Sequence, residues 1–83
     1  MHGENNPIFA GILNKLGMVF VHMGQYEKGI EYYQKCENIQ RHTIGQNHPA
    51  YAVTLNNLAA AFNNNRQFEM AVKYLKECEN IKK

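Results

Sequence analysis

The sequence predicts an all-α fold in which two helix-turn-helix repeats, four antiparallel helices in all, form a short piece of a right-handed α-solenoid. Pro7 recurs as Pro49, and the residues that follow the two prolines match one another at a constant offset of 42 positions. The tripeptide at 37–39 returns unchanged at 79–81. Apolar residues also recur at helical spacing within each copy. A fixed period of this size is typical of a repeat architecture.

The first helix is expected to run from Pro7 to His22. Pro7 suits the first helical position, which needs no backbone N–H, and Asn6 is the expected cap. Gly17 lies mid-helix, where glycine costs about 1 kcal/mol relative to alanine. We expect close approach of the next helix to compensate for that cost. The inward stripe of the first helix is predicted to be Phe9, Ile12, Leu13, Leu16 and Phe20.

The second helix is expected to run from Tyr26 to Arg41. Gly24 precedes it and suits a left-handed end of the first helix. About three residues separate the two helices, which predicts an antiparallel hairpin. The inward stripe of the second helix is predicted to be Tyr26, Gly29, Ile30, Tyr33, Cys36 and Ile39.

The second repeat is expected to follow a polar linker at 42–48, in which Gly45 can make the turn. The third helix should run from Pro49 to Asn64 and present Tyr51, Leu55, Leu58 and Phe62 inward. Residues 1–83 are thus predicted to be a single domain, with repeat one at 7–41 and repeat two at 49–82.

The fourth helix is expected to begin at Gln67 or Phe68 and to end at Ile81. Its register follows from the offset to the second helix, since Tyr26 matches Phe68 and Cys36 matches Cys78. The residues predicted to face inward are Phe68, Ala71, Val72, Leu75, Cys78 and Ile81.

Charge and hydropathy disfavour two classes of partner. The formal net charge is +2, and the seven acidic residues are all glutamates. No run approaches the roughly 20 apolar residues of a membrane span. We therefore expect neither a nucleic acid nor a membrane as partner. Lysine and glutamate alternate along the second helix, which is typical of a solvated face rather than a nucleic-acid-binding stripe, through Glu27, Lys28, Glu31, Lys35 and Glu37.

Cys36 and Cys78 occupy equivalent places in the two copies. Neighbouring helices pack about 8–10 Å apart, whereas a disulfide needs Cα atoms within about 7 Å. Both cysteines fall on an inward stripe, where a free thiol acts as a small apolar side chain. We expect both thiols to be reduced and the protein to be cytoplasmic.

The sequence shows no catalytic, cofactor-binding or metal-binding constellation. Aspartate is absent, and no glycine-rich phosphate loop occurs. Cys36 and His42 could be considered as a nucleophile and its base, but they lie six residues apart with Cys36 on the inward stripe. The four histidines do not share a metal-ligand spacing. We therefore expect a protein that is not an enzyme and that uses no cofactor.

The pattern resembles the tetratricopeptide repeat family. In the first copy the resemblance rests on Leu16, Gly17, Phe20, Gly24, Tyr26, Gly29, Tyr33 and Cys36. In the second copy it rests on Leu58, Ala59, Phe62, Phe68, Ala71, Leu75 and Cys78. The long period and the segments at 45–49 and 54–59 are similar to the kinesin-light-chain type in particular. Arg66 departs from the family pattern, which usually has glycine at this turn.

The resemblance implies a scaffold whose first helices line a concave groove for a peptide segment of a partner protein. Asparagine offers both a donor and an acceptor, so Asn14 and Asn56 could pair with the backbone of an extended peptide. Simple solvation, or capping of a helix end, is the alternative for the asparagines. The matching groove positions are Gly11, Asn14, Met18, Val21 and His22 in the first helix and Val53, Asn56, Ala60, Asn63 and Asn64 in the third.

Self-association as a structural unit is a second hypothesis. Arrays of this kind normally contain three or more repeats and a capping helix, and the printed sequence holds two repeats. The outer flank of the fourth helix, with Met70, Tyr74 and Ile81, is expected to be exposed. Contact between repeat ends would then produce homo-oligomers.

Overall fold

The structure, a computed structural model, describes residues 7–80. Within these residues four helices follow one another and no strand occurs. The helix α1 packs mainly on α2, α4 packs mainly on α3, and α2 joins the two hairpins by packing on α3. The all-α fold of two helical hairpins in a short solenoid is confirmed. The helices are α1 at Pro7–His22, α2 at Tyr26–Thr43, α3 at Pro49–Asn64 and α4 at Phe68–Glu79.

The bounds of α1 and α3 are those that the sequence predicts. The helix α2 continues two residues beyond Arg41, where the Thr43 hydroxyl donates to the Ile39 carbonyl at 2.8 Å. The helix α4 ends at Glu79. The expected cap Asn6 and the expected helix end Ile81 lie outside the described residues. The division into repeat one, linker and repeat two stays a prediction.

Both hairpins turn through a left-handed residue at the same place in the repeat. Gly24 has φ +83° and Arg66 has φ +65°. In each turn, the residue that follows donates its N–H to a carbonyl five positions earlier, which is the bonding of a Schellman helix end. The two bonds are Gln25 to Phe20 and Gln67 to Phe62, both 2.9 Å from nitrogen to oxygen.

Replacing Arg66 with glycine is expected to stabilise the protein. A residue with a Cβ is strained in the left-handed region by roughly 1–2 kcal/mol, and the added chain entropy of glycine offsets part of the gain. We expect Arg66→Gly to raise the free energy of unfolding by about 0.5–1 kcal/mol. Gly24→Ala is the matched reverse change and should lower it. Urea unfolding measures both, and opposite signs from these would contradict the account.

The helices α1 and α2 approach closely where two glycines meet. A Cβ built on Gly29 would lie 2.5 Å from Cγ2 of Val21 and 2.9 Å from the carbonyl oxygen of Gly17. A Cβ on Gly17 would lie 2.7 Å from the Tyr33 ring. The expectation that close helix approach compensates for the mid-helix Gly17 is confirmed.

We expect Gly29→Ala to destabilise the protein even though alanine is the better helix former. Overpacking against the Gly17 backbone costs about 1–3 kcal/mol, which exceeds the roughly 0.5–1 kcal/mol gained in helix propensity. Gly11→Ala is the control, because a Cβ on this α1 residue meets nothing within 4 Å. That change should stabilise by about 0.5–1 kcal/mol. Thermal and urea unfolding that gave the two variants the same sign would contradict the close packing.

The main core cluster joins the two hairpins. Ile30 and Tyr33 of α2 are buried against α3 and against Ala71 of α4. The predicted inward stripes of α2 and α3 are confirmed, with Tyr26 half-buried and the others buried. The α3 residues in the cluster are Leu58, Ala61 and Phe62.

The predicted inward stripe of α1 is largely wrong. Leu13 is buried as expected and Phe20 is half-buried, but Phe9, Ile12 and Leu16 are exposed. The helix instead turns a narrower and smaller stripe toward α2, because only small residues permit the close approach of the two backbones. The buried positions of α1 are Ala10, Leu13 and Gly17.

The predicted faces of α4 are also largely wrong. Ala71 is buried and Cys78 is half-buried, whereas Phe68, Val72 and Leu75 are exposed. Met70 and Tyr74, which were expected to face solvent, are half-buried instead. They pack against the core cluster, and the Tyr74 ring stacks on Phe62 at 5.5 Å between centroids.

Glu37 is not on a solvated face, contrary to the prediction from the charge pattern. It is buried and accepts hydrogen bonds from the Arg41 guanidinium and from the Tyr51 hydroxyl, the latter at 2.6 Å. This carboxylate therefore ties α2 to α3. The neighbouring pair Glu31–Lys35 is exposed, as predicted, with 3.9 Å between its charged atoms.

Candidate functional site

A groove crosses the junction between the two repeats. It has a volume of about 450 Å³ and is formed by α1, the end of α2 and the beginning of α3. We call it the junction groove. Its lining combines small, apolar and hydrogen-bonding side chains: Gly11, Asn14, Gln40, Thr43, Ile44, His48, Ala50 and Val53.

The connection between the hairpins positions the junction groove. Gly45 turns the chain with φ +88°. His48 then caps α3, because its Nδ1 accepts the N–H of Ala50 at 3.0 Å. The Thr54 hydroxyl donates to Oε1 of Gln40 at 2.6 Å and so fixes the end of α2 against α3.

An amide pair joins the two first helices across the repeats. Nδ2 of Asn57 donates to Oδ1 of Asn14 at 3.1 Å, and both side chains are half-buried. Asn14 therefore carries a structural bond in addition to lining the junction groove. Its own Nδ2 group takes no part in that bond.

A second groove lies between α3 and α4 and is more apolar. It has a volume of about 460 Å³. Three of the predicted groove residues, Asn56, Ala60 and Asn63, line this second groove rather than the junction groove. The remaining lining comes from Ala59, Phe68, Ala71, Val72 and Leu75.

Four of the predicted residues line neither groove. Val21 is half-buried and packs against the core cluster, and it also limits the space beside Gly29. Met18 and His22 are exposed, and Nδ1 of His22 donates to the Met18 carbonyl at 2.9 Å. Asn64 is exposed near the end of α3. The structure thus brings Asn14 and Val53 together and separates Asn56 from them.

The residues that sequence reasoning missed lie in the connection between the repeats and in the helix ends that flank it. Periodicity places residues on helix faces but does not report how a loop folds back over a helix. The available signal was the run of hydrogen-bonding residues around Gly45. The missed residues of the junction groove are Gln40, Thr43, Ile44, His48 and Ala50.

The hydrogen-bonding groups of the junction groove can bind polar backbone without reacting with it. Cys36 is buried with its Sγ 3.6 Å from the Thr54 hydroxyl, and burial raises the pKa of its thiol. His42 is exposed and donates from Nδ1 to its own helix at the Asn38 carbonyl. Both cysteines are free, as expected. Among residues 7–80, no three His, Cys, Asp or Glu side chains are grouped as a metal ion would need.

A family model described as Tetratricopeptide repeat matches residues 9–83. The chain belongs to the tetratricopeptide repeat family. The predicted resemblance is thereby confirmed at the level of the family. Tetratricopeptide repeats generally mediate protein–protein interactions and are non-catalytic modules. None of the curated proteins matches the chain. Within residues 7–80, no helix combines the length and apolarity that crossing a membrane requires.

Proposed function

We propose that this tetratricopeptide chain binds an extended peptide segment of a partner protein along α1 and α3, centred on the junction groove. The observation that supports this proposal most is that Asn14 and Val53 line one groove although they belong to different repeats. A ligand there would contact both repeats at once.

The chemistry of the junction groove favours peptide backbone. Oδ1 of Asn14 is already bonded to Asn57, which leaves the Nδ2 donor for a carbonyl of the ligand. Val53 is 54% exposed and offers an apolar contact next to it. The net charge is only +2, and lysine and glutamate alternate along α2 rather than forming the basic stripe that nucleic acid would need. The binding we propose is non-catalytic and needs no cofactor.

We also propose that the repeats are of the kinesin-light-chain type. The 42-residue period and the segment at 45–49 support this subtype. In the structure, that segment provides the Gly45 turn and the His48 cap before Pro49. The segment that supports the kinesin-light-chain subtype is therefore part of the connection that lines the junction groove.

The proposed groove can be tested with peptides selected for binding to the chain from a displayed random library. We expect the Asn14→Ala variant to bind such peptides more weakly than the wild type. A loss of about 1–3 kcal/mol, or roughly 5- to 150-fold in Kd, corresponds to ligand amides left unpaired. Fluorescence anisotropy with labelled peptides measures the change.

Asn57→Ala is the matched control for the loss of the amide pair. It removes the same bond between α1 and α3 but leaves Asn14 in the groove. A groove role predicts that Asn57→Ala weakens binding much less than Asn14→Ala does, at a similar cost in stability. Equal affinities of the wild type and the Asn14→Ala variant for all selected peptides would reject the proposed groove.

A further inference from the structure

The contact between α2 and α3 shows how one repeat of this chain binds the next. Ile30 and Tyr33 of α2 bury themselves against α3. Because the repeats match at an offset of 42, each residue of this contact has an equivalent on a surface that the described residues leave uncovered. Ile30 and Tyr33 correspond to Val72 and Leu75 of α4. The α3 side corresponds to the outer side of α1.

The first uncovered surface, the α4 face, consists of Phe68, Val72 and Leu75. Val72 is 50% exposed and Leu75 is 48% exposed. Both border the apolar groove between α3 and α4. At the edge of this groove, Val72 and Leu75 therefore occupy the positions that Ile30 and Tyr33 occupy in the buried contact.

The second uncovered surface, the α1 face, consists of Phe9, Ile12, Leu16 and Val19. All four are exposed. They correspond to four residues of α3 that are all buried: Tyr51, Thr54, Leu58 and Ala61. The Phe20–Tyr32 ring stack borders this face and repeats the geometry of Phe62–Tyr74, with centroids 5.4 and 5.5 Å apart and both pairs inclined by 10°.

The side-chain volumes on the two faces differ from the buried contact in compensating directions. The α1 face is larger than its equivalent, since Ile12 replaces a threonine and Val19 replaces an alanine. The α4 face is smaller than its equivalent, since Val72 replaces an isoleucine and Leu75 replaces a tyrosine. Apolar contacts tolerate exchanges that conserve the total volume. The two faces are thus matched to each other.

We propose that a second copy of this chain docks its α1 face on the α4 face, so that the stack of helices continues from one copy to the next. The contact reproduces that of α2 with α3, with Val72 and Leu75 of one copy against Leu16 and Val19 of the other. This inference goes beyond the peptide groove, which lies elsewhere on the surface, and does not depend on it.

One polar contact also carries over to the docked copies. The bond from Asn57 to Oδ1 of Asn14 has an equivalent between copies, in which Lys15 of one copy donates to Oδ1 of Asn56 of the other. The buried bond from Tyr51 to Glu37 has no equivalent, because Phe9 lacks a hydroxyl and faces the position of Glu79. We therefore expect a contact weaker than the one within the chain.

The docking is heterologous because the two faces are different surfaces. Each added copy presents a new α4 face, so association does not stop at a dimer unless the stack closes. Sedimentation velocity from about 10 µM to about 1 mM covers the range expected of such a weak contact. The expected result is a sedimentation coefficient that rises steadily with concentration. A monomer throughout would overturn the proposal.

Two variants distinguish this docking of two different faces from a symmetric dimer. Val72→Glu with Leu75→Glu disables the α4 face, and Ile12→Glu with Val19→Glu disables the α1 face. All four side chains are about half exposed, so the fold should persist, and circular dichroism checks it. Each variant alone should remain monomeric. A variant that still self-associates would show contact between identical faces and would overturn the proposal.

Mixing the two variants is the decisive measurement. Each retains the face that the other lacks, so an equimolar mixture should form a one-to-one dimer that does not grow further. A mixture that stays monomeric would overturn the proposal. Met18→Glu with Met23→Glu is the matched control, since the two side chains are 42% and 59% exposed but lie on neither face. It should self-associate as the wild type does. Loss of its association would show that the added negative charge, rather than loss of a face, prevents docking, and would overturn the assignment of the two faces.

Discussion

Leu58→Ala is expected to cost about 2–5 kcal/mol in the free energy of unfolding. Leu58 is fully buried in the core cluster that joins the two hairpins. The deletion leaves a cavity between helices that cannot easily collapse, because α2 and α3 are held at fixed spacing by the hydrogen bonds from Tyr51 and Thr54. A domain of this size has only about 4–12 kcal/mol in total.

Leu16→Ala is the matched control for this prediction. The two leucines occupy the same place in successive repeats, but Leu16 is 38% exposed whereas Leu58 is fully buried. We expect Leu16→Ala to cost at most about 1 kcal/mol. Urea unfolding in dilute solution, where copies do not meet, measures both variants. Equal losses in the free energy of unfolding would contradict the difference in burial between Leu16 and Leu58.

The second large effect is a loss of stability in alkali. Burial, and then the hydrogen bond to Glu37, raise the pKa of Tyr51 to about 12. The unfolded tyrosine titrates near 10, so the folded protein holds the proton more tightly. The resulting stability is complete below about pH 10 and is lost as the pH rises through about 12, by up to about 3 kcal/mol. Burial also raises the pKa of Tyr33, Tyr74 and Cys36, which act in the same direction.

Tyr51→Phe isolates the contribution of Tyr51 to the alkaline transition. The variant lacks the hydroxyl and should lose about 1.5–3 kcal/mol at pH 7, because a buried carboxylate loses one of its donors. Its stability should then fall less steeply than that of the wild type between pH 10 and 12. Thermal unfolding across this pH range provides the comparison. Parallel curves for the two proteins would exclude Tyr51 as the titrating group.

The sequence predicted the helices well because their ends are chemically marked. Pro49 begins α3 and Gly24 follows α1, and both are signals that the local chain carries by itself. The end of α2 was missed by two residues, since Ile44 donates its N–H to Gln40 and extends the last turn. Because the two repeats match at a constant offset, each helix predicted in one hairpin also predicted its equivalent in the other.

The sequence did not predict which face of an outer helix is buried. In α1, apolar residues cover two faces, and periodicity cannot say which one meets α2. The deciding fact is the contact of Gly17 with the Tyr33 ring, which joins two helices and has no local signature. The same ambiguity reversed the faces of α4, where Tyr74 turned inward and Leu75 outward.

The buried carboxylate and the candidate groove were hidden for a similar reason. Glu37 belongs to an alternating run of charges, and its partner Tyr51 lies 14 positions away on another helix. The equivalence of Asn14 and Asn56 holds in the sequence, but of the two only Asn14 meets a residue of a following repeat among the described residues. Hence Asn14 bonds to Asn57, while Asn56 remains exposed.

The packing of each outer helix on one main neighbour has a consequence for how the molecule opens. The helices α2 and α3 share the core cluster and are joined by the hydrogen bond from Tyr51 to Glu37. Exchange of their amide protons therefore requires that the whole chain unfold. Those of α1 and α4 need only one helix to detach. Hydrogen exchange should therefore be slowest in the middle of the sequence and become faster toward both outer helices, so that the chain unravels from its edges.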